Sequence, residues 1–129
     1  MILYLAADLI WASRIKATAN ALGLAARPVR TLEMLEDRLS DADPVALLLD
    51  LDAPGPALAM LARVRDPARP TARKLRVLAW GPHVAKDLLQ QARDLGADEV
   101  LTRGAFDHAM EDILPRLATP PAAPADPQA

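Results

Sequence analysis

Apolar residues along the chain form five short runs, and between them apolar residues recur every three or four positions. Uninterrupted short runs are typical of strands buried on both faces, and the wider spacing is typical of amphipathic helices. The pattern therefore predicts strands that alternate with helices from the first residues onward. The predicted strands are residues 2–6, 26–30, 45–51, 75–80 and 98–102.

Residues suited to helix ends separate the two patterns. Asp8 and Thr31 stand directly before helical segments, where their side chains would cap the first turn. Gly23 and Gly96 stand where the first and fourth helices would stop. The third helix is expected after "DAPGP", and Pro115 is expected to shorten or kink the last one.

Five strand–helix units in succession predict one α/β domain over residues 1–118, with a parallel sheet covered by helices on both faces. Pro28 lacks a donor for the ladder, which favours an edge position for the second strand. The length of this part favours the five-stranded, flavodoxin-like order 2-1-3-4-5. Residues 119–129 are rich in Pro and Ala without a periodic apolar face, and we predict that they form a disordered tail.

The candidate functional group is the carboxylate of Asp50, which ends the apolar run "VALLLD". In the predicted order, the winding direction reverses between strands one and three, and sites lie at the carboxyl ends of those strands. Asp8 follows the first of these strands, and Asp52 comes just after the third. We therefore expect these three carboxylates at the same edge of the sheet.

Composition narrows the class of protein. The net charge of −2 provides no basic surface for nucleic acid or an anionic membrane. Cysteine is absent, so disulfides and thiolate chemistry are excluded. The first apolar run is too short to span a bilayer, and we expect a cytoplasmic protein. Nucleotide-binding and hydrolase motifs (P-loop, GxGxxG, HExxH, GxSxG) are also missing, so we do not expect an enzyme.

Two segments carry a resemblance to a known family. In "LLLDLDAPG", an Asp ends the strand and a Pro follows four residues later, at Asp50 and Pro54. "DLGADEVLTRGAF" joins a helix end to the fifth strand. On these residues the chain resembles the receiver domains of two-component response regulators, the CheY-like family, over residues 2–118. The resemblance implies a receiver fold, a signalling role, and Asp50 in the position of the phosphoacceptor.

The sequence departs from the receiver pattern around that position. Receivers end strand one with two adjacent acids that hold Mg²⁺, and these positions are Ala6 and Ala7 here, with Asp8 one residue late. The hydroxyl residue that ends strand four in the family falls on Trp80 or Gly81. A large ring at this place would fill the space beside the site and lock the switch.

The remaining side chains form a sparse metal site. Mg²⁺ needs oxygen ligands in near-octahedral geometry, and the candidate ligands are Asp8, Asp50 and Asp52. The lysine of the family falls on Arg103, whose planar guanidinium differs from a compact ammonium. We expect no cofactor, with Mg²⁺ as the alternative. We also expect loop amides and an ion pair with Arg103 to satisfy Asp50, so that the cation takes the place of the metal.

These departures favour a degenerate receiver, or pseudo-receiver, that acts by protein–protein contact without phosphorylation. The alternative is a functional phosphoreceiver that accepts a phosphoryl group on Asp50 with an atypical Mg²⁺ site. A third hypothesis is a flavodoxin-like binder of a small ligand. The segment "AADLIWASR" lacks the Ser-, Thr- and Gly-rich composition of a flavin phosphate loop, and no His follows strand one for cobalamin.

The partner implied by the resemblance is another signalling protein or an output domain, because we expect no output domain in this chain. In the family, the surface of helix four, strand five and helix five is the usual partner or dimer face. We predict a homodimer through this surface, which carries Lys86, Arg93, Glu99, Thr102 and His108.

Overall fold

The computed structural model describes residues 1–119, in which strands and helices alternate as the apolar pattern predicts. The strands are β1 (Ile2–Leu5), β2 (Ala26–Pro28), β3 (Ala46–Asp50), β4 (Arg76–Gly81) and β5 (Glu99–Thr102). The α-helices are α1 (Leu9–Ala21), α2 (Leu32–Asp41), α3 (Pro54–Val64), α4 (Lys86–Asp94) and α5 (Arg103–Ala118), and a 3-10 helix spans Pro70–Lys74. Apart from residue 119, the predicted tail lies outside the described residues.

The strands form one parallel sheet in the order β2-β1-β3-β4-β5, which confirms the predicted fold. β2 is one of the two edge strands, as Pro28 indicates. In the centre of the sheet, Leu48 is the register partner of Tyr4 on β1 and of Leu78 on β4. Two residues further along each strand, Asp50 is the register partner of Trp80, so both lie at the carboxyl end of the sheet.

Successive residues of each strand point to opposite faces of the sheet, and each face is covered by a different set of helices. One buried cluster contains Leu3, Leu47, Leu49, Val77 and Ala79 of the sheet with residues of α2, α3 and α4. The other contains Ile2, Tyr4, Leu48, Leu78 and Trp80 with residues of α1 and α5. Within residues 1–119, no helix combines the length and the apolar character needed to cross a membrane.

Side-chain caps begin three of the helices. Asp8, Thr31 and Thr102 each accept a hydrogen bond from the backbone N–H three residues further on. The caps at Asp8 and Thr31 confirm the sequence prediction. Gly23 and Gly96 follow α1 and α4 with φ of 70° and 100°, a backbone region that favours glycine, which explains why these helices stop there.

The expected start of α3 is wrong, and Pro115 does not shorten α5. α3 begins at Pro54, inside the segment expected to precede it, because a proline in the first turn removes an N–H that has no helical partner anyway. α5 continues past Pro115 to Ala118. Leu114 and Leu117 are almost fully buried on either side of Pro115, and their burial offsets the hydrogen bond that the proline removes.

Arg65 holds the basic loop of residues 65–75, between α3 and β4, in place through hydrogen bonds. Its Nε donates to the carbonyl of Gly96 at 2.8 Å, and its Nη1 donates to the carbonyls of Arg73 and Leu75 at 3.2 and 2.8 Å. Its Nη2 pairs with Asp98 Oδ2 at 2.8 Å. One guanidinium therefore joins the end of α4 and the approach to β5 to the start of β4.

Candidate functional site

Asp50 ends β3 at the carboxyl edge of the sheet, and it is the one charged residue buried within residues 1–119, with 1% of its surface exposed. Each of its carboxylate oxygens accepts a hydrogen bond from the backbone. The N–H of Ala7 donates to Oδ2 at 2.9 Å, and the N–H of Asp52 donates to Oδ1 at 3.0 Å. The loops after β1 and β3 therefore hold this carboxylate in place.

Burial raises the pKa of the Asp50 carboxyl above its ordinary value, because removal from water disfavours the charged form. The hydrogen bonds from Ala7 and Asp52 oppose this shift, since they stabilise the carboxylate. The negative charges of Asp52 and Asp8 raise the pKa further. The prediction that three acids gather at this edge is therefore correct, and their mutual repulsion acts on the buried one.

The expected ion pair between Arg103 and Asp50 is wrong. The guanidinium of Arg103, at the start of α5, pairs with the carboxylate of Asp52 instead. Both side chains of this pair are partly exposed, at 45% and 35%. A charged pair costs less to form at the surface, where water still solvates both groups, than around a buried carboxylate. Asp50 is consequently stabilised by backbone dipoles and not by a cation.

The carboxylates at this edge do not fit Mg²⁺ in their present arrangement. Asp8 accepts a hydrogen bond from Trp11 N–H at 2.9 Å as the cap of α1, and Asp52 is paired with Arg103. Both oxygens of Asp50 bind backbone N–H groups. In the part of the chain that the structure describes, His, Cys, Asp and Glu side chains nowhere converge in a group of three that could hold a metal ion.

Trp80 fills the space beside Asp50 on the face of the sheet that α1 and α5 cover. It is fully buried and stacks on Phe106, with ring centroids 4.5 Å apart, and it lies 5.5 Å from the ring of Trp11. Its indole Nε1 is buried without a hydrogen-bond partner in residues 1–119. The ring is thus held by packing, which agrees with the predicted position next to the site.

Gly81 ends β4 and faces the opposite side of the sheet from Trp80. A Cβ atom at Gly81 would lie 3.2 Å from Leu51 Cβ and 3.6 Å from Leu89 Cδ2. This space is filled by apolar side chains of the β3–α3 loop and α4. Neither residue that ends β4 therefore presents a hydroxyl to Asp50.

One of the loop amides expected at Asp50 is the backbone N–H of Ala7. Trp11 and Phe106 were not predicted to lie at the site, but they form one aromatic cluster with Trp80, with 5.7 Å between the Trp11 and Phe106 rings. The signal available was the scarcity of aromatics, because the chain has only four and three of them stand close to the predicted site.

Comparison with known proteins identifies the fold. No protein-family model matches the chain, and no curated protein matches it significantly. The chain is similar to the signal receiver domain of a response regulator from Bermanella marisrubri, with 23% identity, a TM-score of 0.74, and coverage of 92% of this chain and 97% of that one.

Two further crystal structures agree. The receiver domain of NtrX from Brucella abortus has 16% identity and a TM-score of 0.75 over 92% of this chain and 98% of that one. A response regulator from Burkholderia pseudomallei with a phosphorylated aspartic acid and a calcium ion has 17% identity and a TM-score of 0.68, over 84% of this chain and 62% of that one. The chain therefore has the fold of the receiver domains of response regulators.

Proposed function

We propose that the chain is a two-component signalling module with a receiver fold, which works by binding another protein and does not depend on phosphoryl transfer to Asp50. The observation that carries this proposal is the state of Asp50. Its two carboxylate oxygens bind the backbone N–H groups of Ala7 and Asp52, and the nearby cation, Arg103, is paired elsewhere. Both oxygens of Asp50 therefore have hydrogen-bond partners in the absence of a phosphoryl group.

The chemistry of phosphoryl transfer supports the same proposal. Transfer to a carboxylate needs groups that position the donor and neutralise charge on the transferring oxygens. At this edge the acid pair of receivers is replaced by Ala6 and Ala7, and the end of β4 has Trp80 and Gly81 where a hydroxyl is expected. We propose that the module needs no cofactor and that Asp50 serves to order the two loops it binds.

The aromatic cluster of Trp11, Trp80 and Phe106 supports a fixed conformation. Trp80 is fully buried between Asp50's strand and α5, and its ring contacts both other rings. A rearrangement next to Asp50 would have to separate these stacked rings and expose their surface to water. We propose that this cost holds the domain in one state, in which it is ready to bind its partner in the cytoplasm.

The surface of α4, β5 and α5 is the proposed face for a signalling partner, an output domain or a second copy of the chain. Lys86, Arg93 and His108 are exposed there, while Glu99 pairs with Arg116. Sedimentation velocity at high micromolar concentration tests the homodimer, and Arg93→Glu is the informative variant. A dimer that Arg93→Glu dissociates supports this face, whereas a monomer at all concentrations contradicts the homodimer.

The experiment that tests the main proposal is an amide NMR titration with Mg²⁺ followed by beryllofluoride, a mimic of the phosphoryl group. We expect the amides of Ala7, Asp50 and Asp52 to stay unmoved at millimolar concentrations of both. Asp50→Asn is the control, because it cannot form the adduct. Shifts in the unmodified chain that spread to α4 and are absent from Asp50→Asn would contradict the proposal.

The second candidate function is a phosphoreceiver with an atypical Mg²⁺ site. It is favoured by the positions of Asp8 and Asp52 beside Asp50, because Asp52 and the residue before Asp8, Ala7, both donate backbone N–H groups to Asp50. The Burkholderia pseudomallei regulator of the same fold carries a phosphorylated aspartic acid together with a calcium ion. In this chain such a site would require Asp52 to leave Arg103 and Asp8 to leave the cap of α1. The beryllofluoride titration separates the two functions.

A further inference from the structure

A groove of about 680 Å³ opens between α1 and the edge strand β2, beside the carboxyl end of β1. One wall is a stripe of α1 with Ala12, Ser13 and Lys16, and the other is formed by residues 25–28 and Arg30. Alanines line much of the groove, and their short side chains leave the space between the two elements open. The volume lies in the range of small-molecule sites, which is roughly 300 to 1,000 Å³.

The charge of the groove is mainly positive. Lys16 on α1 and Arg30 after β2 line it, and neither forms an ion pair with any residue from 1 to 119. Arg27 also borders the groove, but it is the register partner of Leu3, so its side chain leaves the sheet on the opposite face. Asp8 is the one acid among the lining residues, and its Oδ1 is engaged by the N–H of Trp11. Two unpaired cations therefore line one concave space.

Tyr4 forms the floor of the groove and offers an unused donor. Only 3% of this residue is exposed, but its hydroxyl has no hydrogen-bond partner in the described chain and is not a fully buried atom, so the exposed part of the side chain includes the hydroxyl. Burial raises the pKa of the Tyr4 hydroxyl, and the charge of nearby Arg30 opposes the shift. The hydroxyl therefore stays protonated at neutral pH and can donate to an anion.

We propose that this groove binds a small phosphorylated molecule with at least two negative charges. The guanidinium of Arg30 suits phosphate oxygens because its paired N–H donors match the spacing of those oxygens. Lys16 adds a second charge from α1, and Tyr4 donates from the floor. The groove is concave and is closed on two sides by α1 and β2, which suits a small molecule better than an extended nucleic-acid backbone.

The groove adjoins the Asp50 site at Ala7 and Asp8. Ala7 lines the groove, and its backbone N–H donates to Asp50. Occupancy of the groove is therefore expected to move the Ala7 amide signal as well as those of Tyr4 and Lys16. This site is separate from the proposed partner face and does not depend on whether Asp50 accepts a phosphoryl group.

The test is an amide NMR titration of the full chain with inorganic pyrophosphate and, separately, with ADP, both without added Mg²⁺. We expect saturable shifts at Tyr4, Ala7, Ser13 and Lys16. The double variant Lys16→Ala/Arg30→Ala should weaken binding at least about tenfold, since it removes two charge-assisted contacts. Tyr4→Phe keeps the ring and removes the donor, and it should weaken binding by several-fold.

The matched control is Arg93→Ala, which removes an exposed cation outside the groove. Saturable binding that Arg93→Ala leaves intact and the double variant weakens supports the proposal for either anion. Shifts that do not saturate, or that all variants show equally, mean that the anions only screen surface charge, and they overturn it. The unmodified amide spectrum of each variant shows whether it is folded before it is titrated.

Discussion

Arg103 forms an ion pair with Asp52, whereas Asp50, two residues before Asp52, accepts hydrogen bonds only from backbone N–H groups. The two acids differ in burial, because Asp50 is 1% exposed whereas the Asp52 side chain is 35% exposed. Arg103 therefore pairs with the more exposed acid, because an ion pair at the surface requires less desolvation than one around buried Asp50. The carboxylate of Asp50 is therefore stabilised only by backbone N–H dipoles. The free energy of unfolding should consequently depend on pH in the range where Asp50 titrates.

The first prediction concerns that pH dependence. Because the folded pKa of Asp50 is raised, its contribution to the free energy of unfolding is fully present below the ordinary value of 3.8 and is lost as the pH rises through the folded pKa. The unmodified chain should therefore lose stability relative to Asp50→Asn over this interval. Urea denaturation of both chains, followed by circular dichroism from pH 4 upward, measures the difference.

Asp52→Asn is the control for this measurement. Asp52 also contributes to the raised pKa of Asp50, so its removal should shrink the effect without abolishing it. A stability difference between the unmodified chain and Asp50→Asn that stays constant, or grows in favour of the unmodified chain with rising pH, contradicts the prediction.

The second prediction concerns Trp80. Trp80→Ala should lower the free energy of unfolding by about 3 to 5 kcal/mol, because it opens a cavity beside the rings of Trp11 and Phe106 in a fully buried position. The measurement is urea denaturation followed by circular dichroism, since the substitution removes one of the two fluorescent tryptophans. Leu9→Ala, at a side chain that is 80% exposed, should change stability by less than about 0.5 kcal/mol.

Trp80→Phe separates packing from the indole N–H. It removes the buried Nε1 that has no partner in residues 1–119, so part of the lost contact area is offset. Its cost should therefore be well below that of Trp80→Ala. Equal costs for the two variants would show that the ring is not packed as described.

The architecture could be predicted from sequence because its signals are local. Short apolar runs, a stripe of apolar residues in each helix, caps at Asp8 and Thr31 and the edge proline Pro28 each act over a few residues. Together they were enough for the strand order and for the position of Asp50. The expectations for Pro54 and Pro115 relied on the tendency of proline to interrupt helices. That tendency does not apply in the first turn of α3, and in α5 the burial of Leu114 and Leu117 outweighs it.

The details of the site could not be predicted because they depend on distant residues meeting. Arg103 lies 51 residues from Asp52, and the choice between Asp50 and Asp52 rests on which carboxylate is buried. The hydrogen bond from the Ala7 N–H to Asp50 joins residues 43 positions apart in the chain, and it does not depend on the type of side chain at position 7. The groove beside Tyr4 likewise requires the final spacing of α1 and β2.

The third prediction uses two glycines with different surroundings. Gly81→Ala places a Cβ 3.2 Å from Leu51 Cβ, so it should destabilise the fold by about 1 to 3 kcal/mol through overpacking. Gly104→Ala lies in the first turn of α5 with nothing within 4 Å of the new atom, and it should stabilise the helix by up to about 1 kcal/mol. Thermal unfolding of both variants compares them, and a more stable Gly81→Ala contradicts the tight contact.

The fourth prediction tests Arg65 as the tie between the basic loop and the sheet. Its side chain is only 15% exposed and donates to three carbonyls and to Asp98. Arg65→Ala should therefore lower the free energy of unfolding by more than about 2 kcal/mol, because those acceptors lose charge-assisted hydrogen bonds. Arg65→Lys should recover little of this loss, since one ammonium cannot reach acceptors spread over four residues.

Arg69→Ala is the matched control in the same loop. Arg69 pairs with Glu36 and Asp66 as well, but its side chain is 51% exposed, and water replaces such contacts at little cost. Its removal should change stability by less than about 1 kcal/mol. Equal losses for Arg65→Ala and Arg69→Ala in urea denaturation would show that net charge in the loop matters and not the geometry of Arg65. A larger loss at Arg65 means that one half-buried guanidinium holds the chain between α3 and β4 in place.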